Sequence, residues 1–209
     1  MIDAAALVLA GGRGKRAGGS KIFLSIDGSF LLESVLGRMM PLFRQVLVSC
    51  KEEDSTPFRK IFGHLTGGSD VRLVPDRAEG VGPLEGISVG LRSSDHPWVF
   101  VVGCDMPMIQ ESLVRFMWSK RSDDADAVIA MLGGFVEPLH AFYHRRCAYA
   151  VERAISRSEH RISSFLSEVA LLTVEENDMA HIPGYRRSFL NVNTPVDMRR
   201  WQEGISSRP

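Results

Sequence analysis

Seven consecutive apolar residues, Ala4 to Ala10, have the length and bounding signals of a buried strand, and the run stops at Gly11-Gly12. The same signal recurs at Gln45–Cys50, at Val71–Val74 (ending in Pro75-Asp76) and at Trp98–Val102 (ending in Gly103-Cys104-Asp105-Met106-Pro107). Between these runs the period changes to that of a helix. Leu32, Val35, Leu36 and Met39 share one face up to Pro41, Thr56-Pro57 can open a short helix, and Gly80–Gly86 leads into a helix carrying Ile87 and Leu91. A further helix is expected from Glu111 to Lys120 and a strand from Ala127 to Met131. Such alternation predicts an α/β fold with a mainly parallel, doubly wound sheet. The remainder is more mixed. Pro138–Tyr143 reads as a strand, Arg145–Ser156 and Ile162–Val169 as helices, and Leu171–Val174 as a strand; Phe189–Asn193 suggests a last short strand before a helix over Pro195–Gln202. No repeat, low-complexity tract or linker interrupts the chain, so residues 1–209 are expected to form one domain.

Composition narrows the classes. With 44% apolar residues in 209, the chain can bury a full core. Lys+Arg and Asp+Glu are equal at 25 each, so no overall field draws it to nucleic acid or to an acidic membrane. Three scattered cysteines, Cys50, Cys104 and Cys147, form neither a metal-spaced pair nor an even disulfide set, which points to a reducing, cytoplasmic setting. The amino-terminal apolar run has no basic region before it, contains Asp3 and is too short to span a bilayer.

Against that neutral background, Gly11 to Lys21 is unusual. Its eleven residues hold five glycines, the cations Arg13, Lys15, Arg16 and Lys21, and no acid. Glycines admit close approach of backbone amides and the cations add fixed charge, a combination suited to a polyphosphate. A P-loop requires Gly-Lys-Ser/Thr, and the order here is Gly19-Ser20-Lys21. Gly12, Gly14 and Ala17 satisfy the dinucleotide spacing, but the expected acid at the end of a second strand is missing, since Glu33 falls within a helix; that reading stands second. In a parallel sheet the loops after Ala10, Pro75 and Gly103 share one edge, so Gly11–Lys21, Asp76–Gly86 and Asp105 could meet one ligand. A carboxylate directly after a strand, as Asp105 is, suits Mg²⁺ on phosphates, although a turn cap beside Met106-Pro107 also explains it. Cys104 reads as a small buried residue rather than a nucleophile.

Leu9-Ala10-Gly11-Gly12, Arg16, Gly18 and Lys21 resemble, in register, the loop L-A-G-G-x-x-x-R-M-G-x-x-K of nucleotidyltransferases, with Ala17 for the methionine and Ser20 where many members have aspartate. Gly82-Pro83-Leu84-Glu85-Gly86, Cys104-Asp105-Met106-Pro107 and Asn191-Val192-Asn193-Thr194-Pro195-Val196-Asp197 are similar to the G-P-L-x-G, C-D-x-P and N-x-N-T-P-x-D motifs of molybdenum cofactor guanylyltransferases. Glu137-Pro138-Leu139-His140-Ala141-Phe142-Tyr143 resembles the strand of that family, with a Pro-Leu pair, that approaches the acceptor side. The motifs run in family order from Leu9 to Asp197. The resemblance implies a Rossmann-like nucleotidyltransferase fold, a cytoplasmic enzyme and transfer of GMP from GTP to the terminal phosphate of molybdopterin, with release of pyrophosphate. It further implies nucleotide contacts from Leu9, Ala10, Gly11, Gly12, Lys21, Asp76, Gly82 and Asp105, with Arg16 and Lys21 on the phosphates and Mg²⁺ on Asp105. Asn191 and Asn193 would serve the acceptor, and other cofactor-biosynthesis proteins could be partners; Ser49 replaces a frequent asparagine.

Other classes compete. Relatives that transfer CMP typically carry L-A-A-G and lack G-P-L-x-G, sugar-phosphate transferases usually run longer, and a non-catalytic binding module would tolerate loss of Lys21 or Asp105, both present. Thr194, Pro195 and Asp197 also fit an N-cap, a first-turn proline and a capping-box acid. His140 and His144 have the spacing of zinc ligands on a helix, but the accompanying glutamate is absent and the segment reads as a strand. Glu175, Glu176 and Asp178 read as a solvated turn, and Arg186 and Arg187 as surface residues or contacts for an anionic acceptor.

Overall fold

The computed structural model describes residues 1–11, 13–14, 19–26, 28–66, 71–76, 82–192 and 197. Seven strands form the main sheet: β1 (Ile2–Leu9), β2 (Phe43–Cys50), β3 (Val71–Pro75), β4 (Trp98–Gly103), β5 (Ala127–Leu132), β6 (Phe135–His144) and β7 (Leu171–Val174). Their order is β3-β2-β1-β4-β6-β5-β7. Pairs β1–β2, β2–β3, β1–β4 and β5–β7 are parallel, whereas β6 is antiparallel to both β4 and β5. The sheet is therefore mainly parallel with a mixed side, as the pattern predicts.

Alternation along β1 divides the core. Ala4, Ala6 and Val8 face one layer with α1 (Leu31–Met39), α2 (Ser55–Thr66) and α4 (Glu111–Ser119); Ala5, Leu7 and Leu9 face the other with α3 (Pro83–Ser93) and α5 (Ala148–Ser156). Both faces of the sheet are covered, which explains why its central strands read as continuous apolar runs rather than alternating ones. Among the described residues no helix is long and apolar enough to cross a membrane.

Two glycines let α3 sit close to the sheet. A Cβ on Gly86 would lie 2.5 Å from Ser49 Oγ and 2.9 Å from Leu9 Cδ2, and a Cβ on Gly90 would collide with the Leu7 side chain. Gly82 precedes the helix at φ 79°, a conformation that L side chains rarely adopt, and Pro83 opens the first turn, where its missing N–H costs no helical bond. The amino terminus of α3 is thereby set at the carboxyl edge of β1 and β2.

Four expectations change. Over the described residues 189–192 no strand forms: Tyr185–Phe189 is a 3₁₀ turn, and Val192 N–H donates singly to the Asp105 carbonyl at 2.7 Å. Ile162–Val169 is 3₁₀ over Ile162–Glu168 rather than α-helical. The strand expected at Pro138–Tyr143 extends back to Phe135. The Glu175–Asp178 cluster is structural: Glu175 and Asp178 form a capping box on the short helix α6 (Glu176–Met179), while Glu176 accepts from Gly133 N–H at 3.1 Å and from the Tyr185 hydroxyl at 2.9 Å. Apart from Asp197, which is helical, the expected helix Pro195–Gln202 lies outside the described residues.

Candidate active site

Strand order reverses at β1: the chain passes from β1 to β2 and β3 on one side, then returns to place β4 on the other. Such a switch point opens a crevice at the carboxyl ends of the two diverging strands. Its floor is fixed by backbone bonds around Leu9, which stands in register with Ser49 of β2 and Gly103 of β4. Cys104 N–H donates to the Leu9 carbonyl at 3.1 Å, and the N–H groups of Ala10 and Gly11 both donate to the Ser49 carbonyl, at 2.8 and 3.1 Å. Beyond Gly11 the chain turns back, Arg13-Gly14 pairing antiparallel with Gly19-Ser20, and Lys21 opens a 3₁₀ turn over Lys21–Phe23.

On the β2–β3 side the crevice holds a carboxylate. Asp76, just past β3, is anchored by its N–H to the Cys50 carbonyl at 2.8 Å, and its Oδ1 accepts from the Ser49 hydroxyl at 2.6 Å. The other oxygen, Oδ2, lies 2.5 Å from where a Cβ on Gly11 would be. Gly11 is thus required in this place to make room for Asp76, whatever else its backbone does. Burial raises the Asp76 carboxyl above the usual carboxylate range; the Ser49 hydroxyl works against that, and the Glu85 and Asp54 carboxylates push it up further. Glu85 is itself buried in the first turn of α3.

On the β4 side stands Asp105, 8% exposed. Its Oδ1 lies 2.5 Å from the position a Gly103 Cβ would take, so a bare Gly103 accommodates the carboxylate in the same way that Gly11 accommodates Asp76. The backbone around it is tied on two sides, Met106 N–H to the Gly103 carbonyl at 3.2 Å and Val192 N–H to the Asp105 carbonyl. That second bond brings exposed Asn191 to the same end of the sheet. The Asp76 carboxylate thus reaches over β2 to the end of β1, while Asp105 stays at the end of β4, the next strand, so the two acids flank the end of β1 from opposite sides. Among the described residues no group of three or more His, Cys, Asp or Glu could enclose a metal by itself.

The structure therefore brings together Leu9, Ala10, Gly11, Asp76, Gly82, Asp105 and Asn191 at one edge. Gly12, Arg16 and Asn193 lie outside the described residues, and Lys21 is described in its backbone only. Ser49 and Glu85 were not singled out as site residues. Ser49 gave a signal, a hydroxyl near the end of an apolar strand, but its partner becomes visible only once β2 and β3 are in register. Cys104 is buried, and burial pushes the Cys50 and Cys147 thiols up to about 11 and about 12. His144 Nδ1 accepts from Arg146 N–H, and its ring packs edge-on against Trp98. Arg186 is an exposed surface residue, paired with Glu176 and donating to the Tyr185 hydroxyl at 3.0 Å.

A carboxyl whose folded value exceeds its unfolded one costs stability when ionised, and that cost fades as the pH falls to the ordinary Asp value of about 3.9. Asp76→Asn, which keeps the acceptor for Ser49, should accordingly raise the melting temperature at pH 7, with the gain shrinking as the pH is lowered towards 4. A variant less stable than wild type at pH 7 would contradict the burial account.

Comparison with known proteins agrees with this geometry. The family model described as MobA-like NTP transferase domain matches residues 6–174. A curated relative from Syntrophotalea carbinolica, named molybdenum cofactor guanylyltransferase, is 31% identical over 201 residues, covering 94% of this chain and 90% of its own. One from Methanosarcina mazei, named probable molybdenum cofactor guanylyltransferase, is 31% identical over 197 residues, covering 92% and 87%. Among solved structures, molybdopterin-guanine dinucleotide biosynthesis protein A from Archaeoglobus fulgidus superposes with a TM-score of 0.78 at 27% identity, covering 95% of this chain and 97% of that one. With the family model matching residues 6–174 and a relative 31% identical across most of both chains, the chain belongs to the family of MobA-like NTP transferase domains and is a nucleotidyltransferase.

Proposed function

We propose that this chain, as one domain, transfers GMP from GTP to the terminal phosphate of molybdopterin and releases pyrophosphate. The observation that carries the choice of base is the Asp76 carboxylate, oriented by Ser49 through one oxygen with the second lying against Gly11. A carboxylate accepts only, and guanine offers two adjacent N–H donors on one edge; cytosine presents one donor beside acceptors that would face the carboxylate unpaired. The names of the curated relatives support the same acceptor and base.

The attacking group in this reaction is a phosphate oxygen already ionised at neutral pH. No general base is required of the protein, and the demands are in-line positioning and relief of repulsion between two anions. Arg16 and Lys21 are assigned to the phosphates of GTP, with the Gly11 and Gly12 backbone beside them, and Gly82 is assigned to close backbone approach at the start of α3. Asn191 and Asn193 are assigned to the acceptor. Asp105 fits a hard divalent ion: it is a single carboxylate at the phosphate end, and Mg²⁺ commonly takes one or two carboxylates and fills its shell with phosphate and water oxygens. When bound there, Mg²⁺ would stabilise charge developing on the phosphates.

The reading is tested by supplying metal-free molybdopterin with each nucleoside triphosphate and Mg²⁺, then measuring pyrophosphate and dinucleotide. GTP should be used at least tenfold better than CTP or ATP; equal use, or a preference for CTP, contradicts the assignment. Asp105→Asn should lower turnover by a factor on the order of hundreds, as loss of several kcal/mol of metal stabilisation would, with a smaller change in GTP affinity. If Asp105 were only a turn cap, the variant would lose about 1 kcal/mol of stability and keep its turnover and Mg²⁺ response.

A further inference from the structure

His140 presents a physical anomaly that the site above does not use. It is completely buried, and neither ring nitrogen has a hydrogen-bond partner. Phe100 meets the imidazole edge-on with ring centres 5.0 Å apart, and Phe189 packs on it at 4.6 Å. Burial pulls its pKa down to about 3, so the ring is neutral, carrying one N–H donor and one lone-pair acceptor. A leucine or phenylalanine would fill the same space without leaving two polar atoms unpaired in an apolar cage, and unpaired buried groups in native proteins are rare.

The backbone takes an irregular course to place it. Against β5, residue 137 of β6 pairs with Ala130 and residue 141 with Ile129, so Pro138, Leu139 and His140 are three residues extra to the ladder. The Tyr143 hydroxyl donates to the Pro138 carbonyl at 2.9 Å and locks this bulge. Bulges of this kind occur preferentially beside active sites, where they redirect side chains. On its other side His140 keeps register with Val102 of β4, three residues before Asp105. The covering ring, Phe189, lies three residues before Val192, whose N–H holds the Asp105 carbonyl, and two before Asn191. A ring pair at the acceptor end of the crevice thus consists of an unsatisfied imidazole and a phenylalanine on the segment that carries the acceptor asparagine.

We propose that His140 is an acceptor-binding residue, whose ring nitrogen hydrogen-bonds a polar atom of the heterocyclic phosphate substrate when the Phe189–Asn191 segment shifts aside. The inference rests on the functional reading above for which end of the crevice takes the acceptor. Among the described residues His140 belongs to no group of three or more His, Cys, Asp or Glu that could hold a metal.

Three variants and one spectrum test it. His140→Leu should melt about 2–4 °C higher, since two unpaired polar atoms are gone. Its KM for molybdopterin should rise about tenfold, with GTP affinity and kcat at saturating acceptor near wild type. His140→Phe should behave alike, and His140→Gln, which restores a donor and an acceptor, should recover much of the KM. An unchanged molybdopterin KM in His140→Leu overturns the proposal, as does a variant that fails to fold or loses stability and both substrates' affinities together. Independently, the ¹⁵N resonances of the His140 ring should move on adding molybdopterin and stay fixed on adding GTP. That spectrum separates the two readings: a shift in a protein that makes no guanine dinucleotide keeps the His140 site and refutes the function, whereas active enzyme with no shift refutes the site.

Discussion

Everything assembled at the carboxyl edge depends on β1 being hydrogen-bonded on both sides at the same residue. Leu9 is level with Ser49 on one flank and Gly103 on the other. The carbonyl of Ser49 then takes two amides from the start of the glycine loop, and the carbonyl of Leu9 takes the amide of Cys104. A register slip of one residue in either pair would turn Ser49 or Asp105 to the opposite face, because side chains alternate along a strand. Specific packing makes such a slip costly, since Leu7 fits closely against Gly90 and Leu9 against Gly86 of α3. The precision of the site is in this sense inherited from the core beneath it.

Small residues translate that register into chemistry. Gly11 and Gly103 leave space for the carboxylates of Asp76 and Asp105, and Gly86 lets α3 approach Ser49 and Leu9. The chain keeps groups that a purely structural protein would avoid: Asp76, partly desolvated near other acids, and His140, without a hydrogen-bond partner for its ring nitrogens. Such groups weaken the fold slightly, and they are tolerated where a ligand completes them. The two lie on opposite sides of the β1–β4 switch, one beside the proposed base and one beside the proposed acceptor.

Much of this was legible in the chain. The four leading strands end within one residue of the apolar runs Ala4–Ala10, Gln45–Cys50, Val71–Val74 and Trp98–Val102, because a strand buried on both faces has no alternation to confuse. The strand end that carries Asp105 was visible for the same reason. What escaped depended on tertiary pairing. The three-residue bulge of β6 breaks local periodicity, so its length and antiparallel sense could not be read from residues 138–143. The apolar positions Phe189, Leu190 and Val192 mimic a strand, yet each answers to a different neighbour, with Phe189 on His140 and Val192 on Asp105. The hydrogen bond from Ser49 to Asp76 spans 27 positions and exists only in the folded sheet. Glu176 looked solvated because its partners, Gly133 and Tyr185, come from other turns.

The central claim is that one nucleotide spans the crevice, its base at Asp76 and its phosphates at Asp105. Diffraction from crystals grown with a non-hydrolysable GTP analogue and Mn²⁺, recorded at the manganese absorption edge, tests it most directly. The account predicts an anomalous peak at coordination distance from an Asp105 oxygen, about 2.0–2.3 Å, with the guanine edge against the Asp76 carboxylate. A manganese peak remote from Asp105, or a guanine bound away from Asp76, would contradict it.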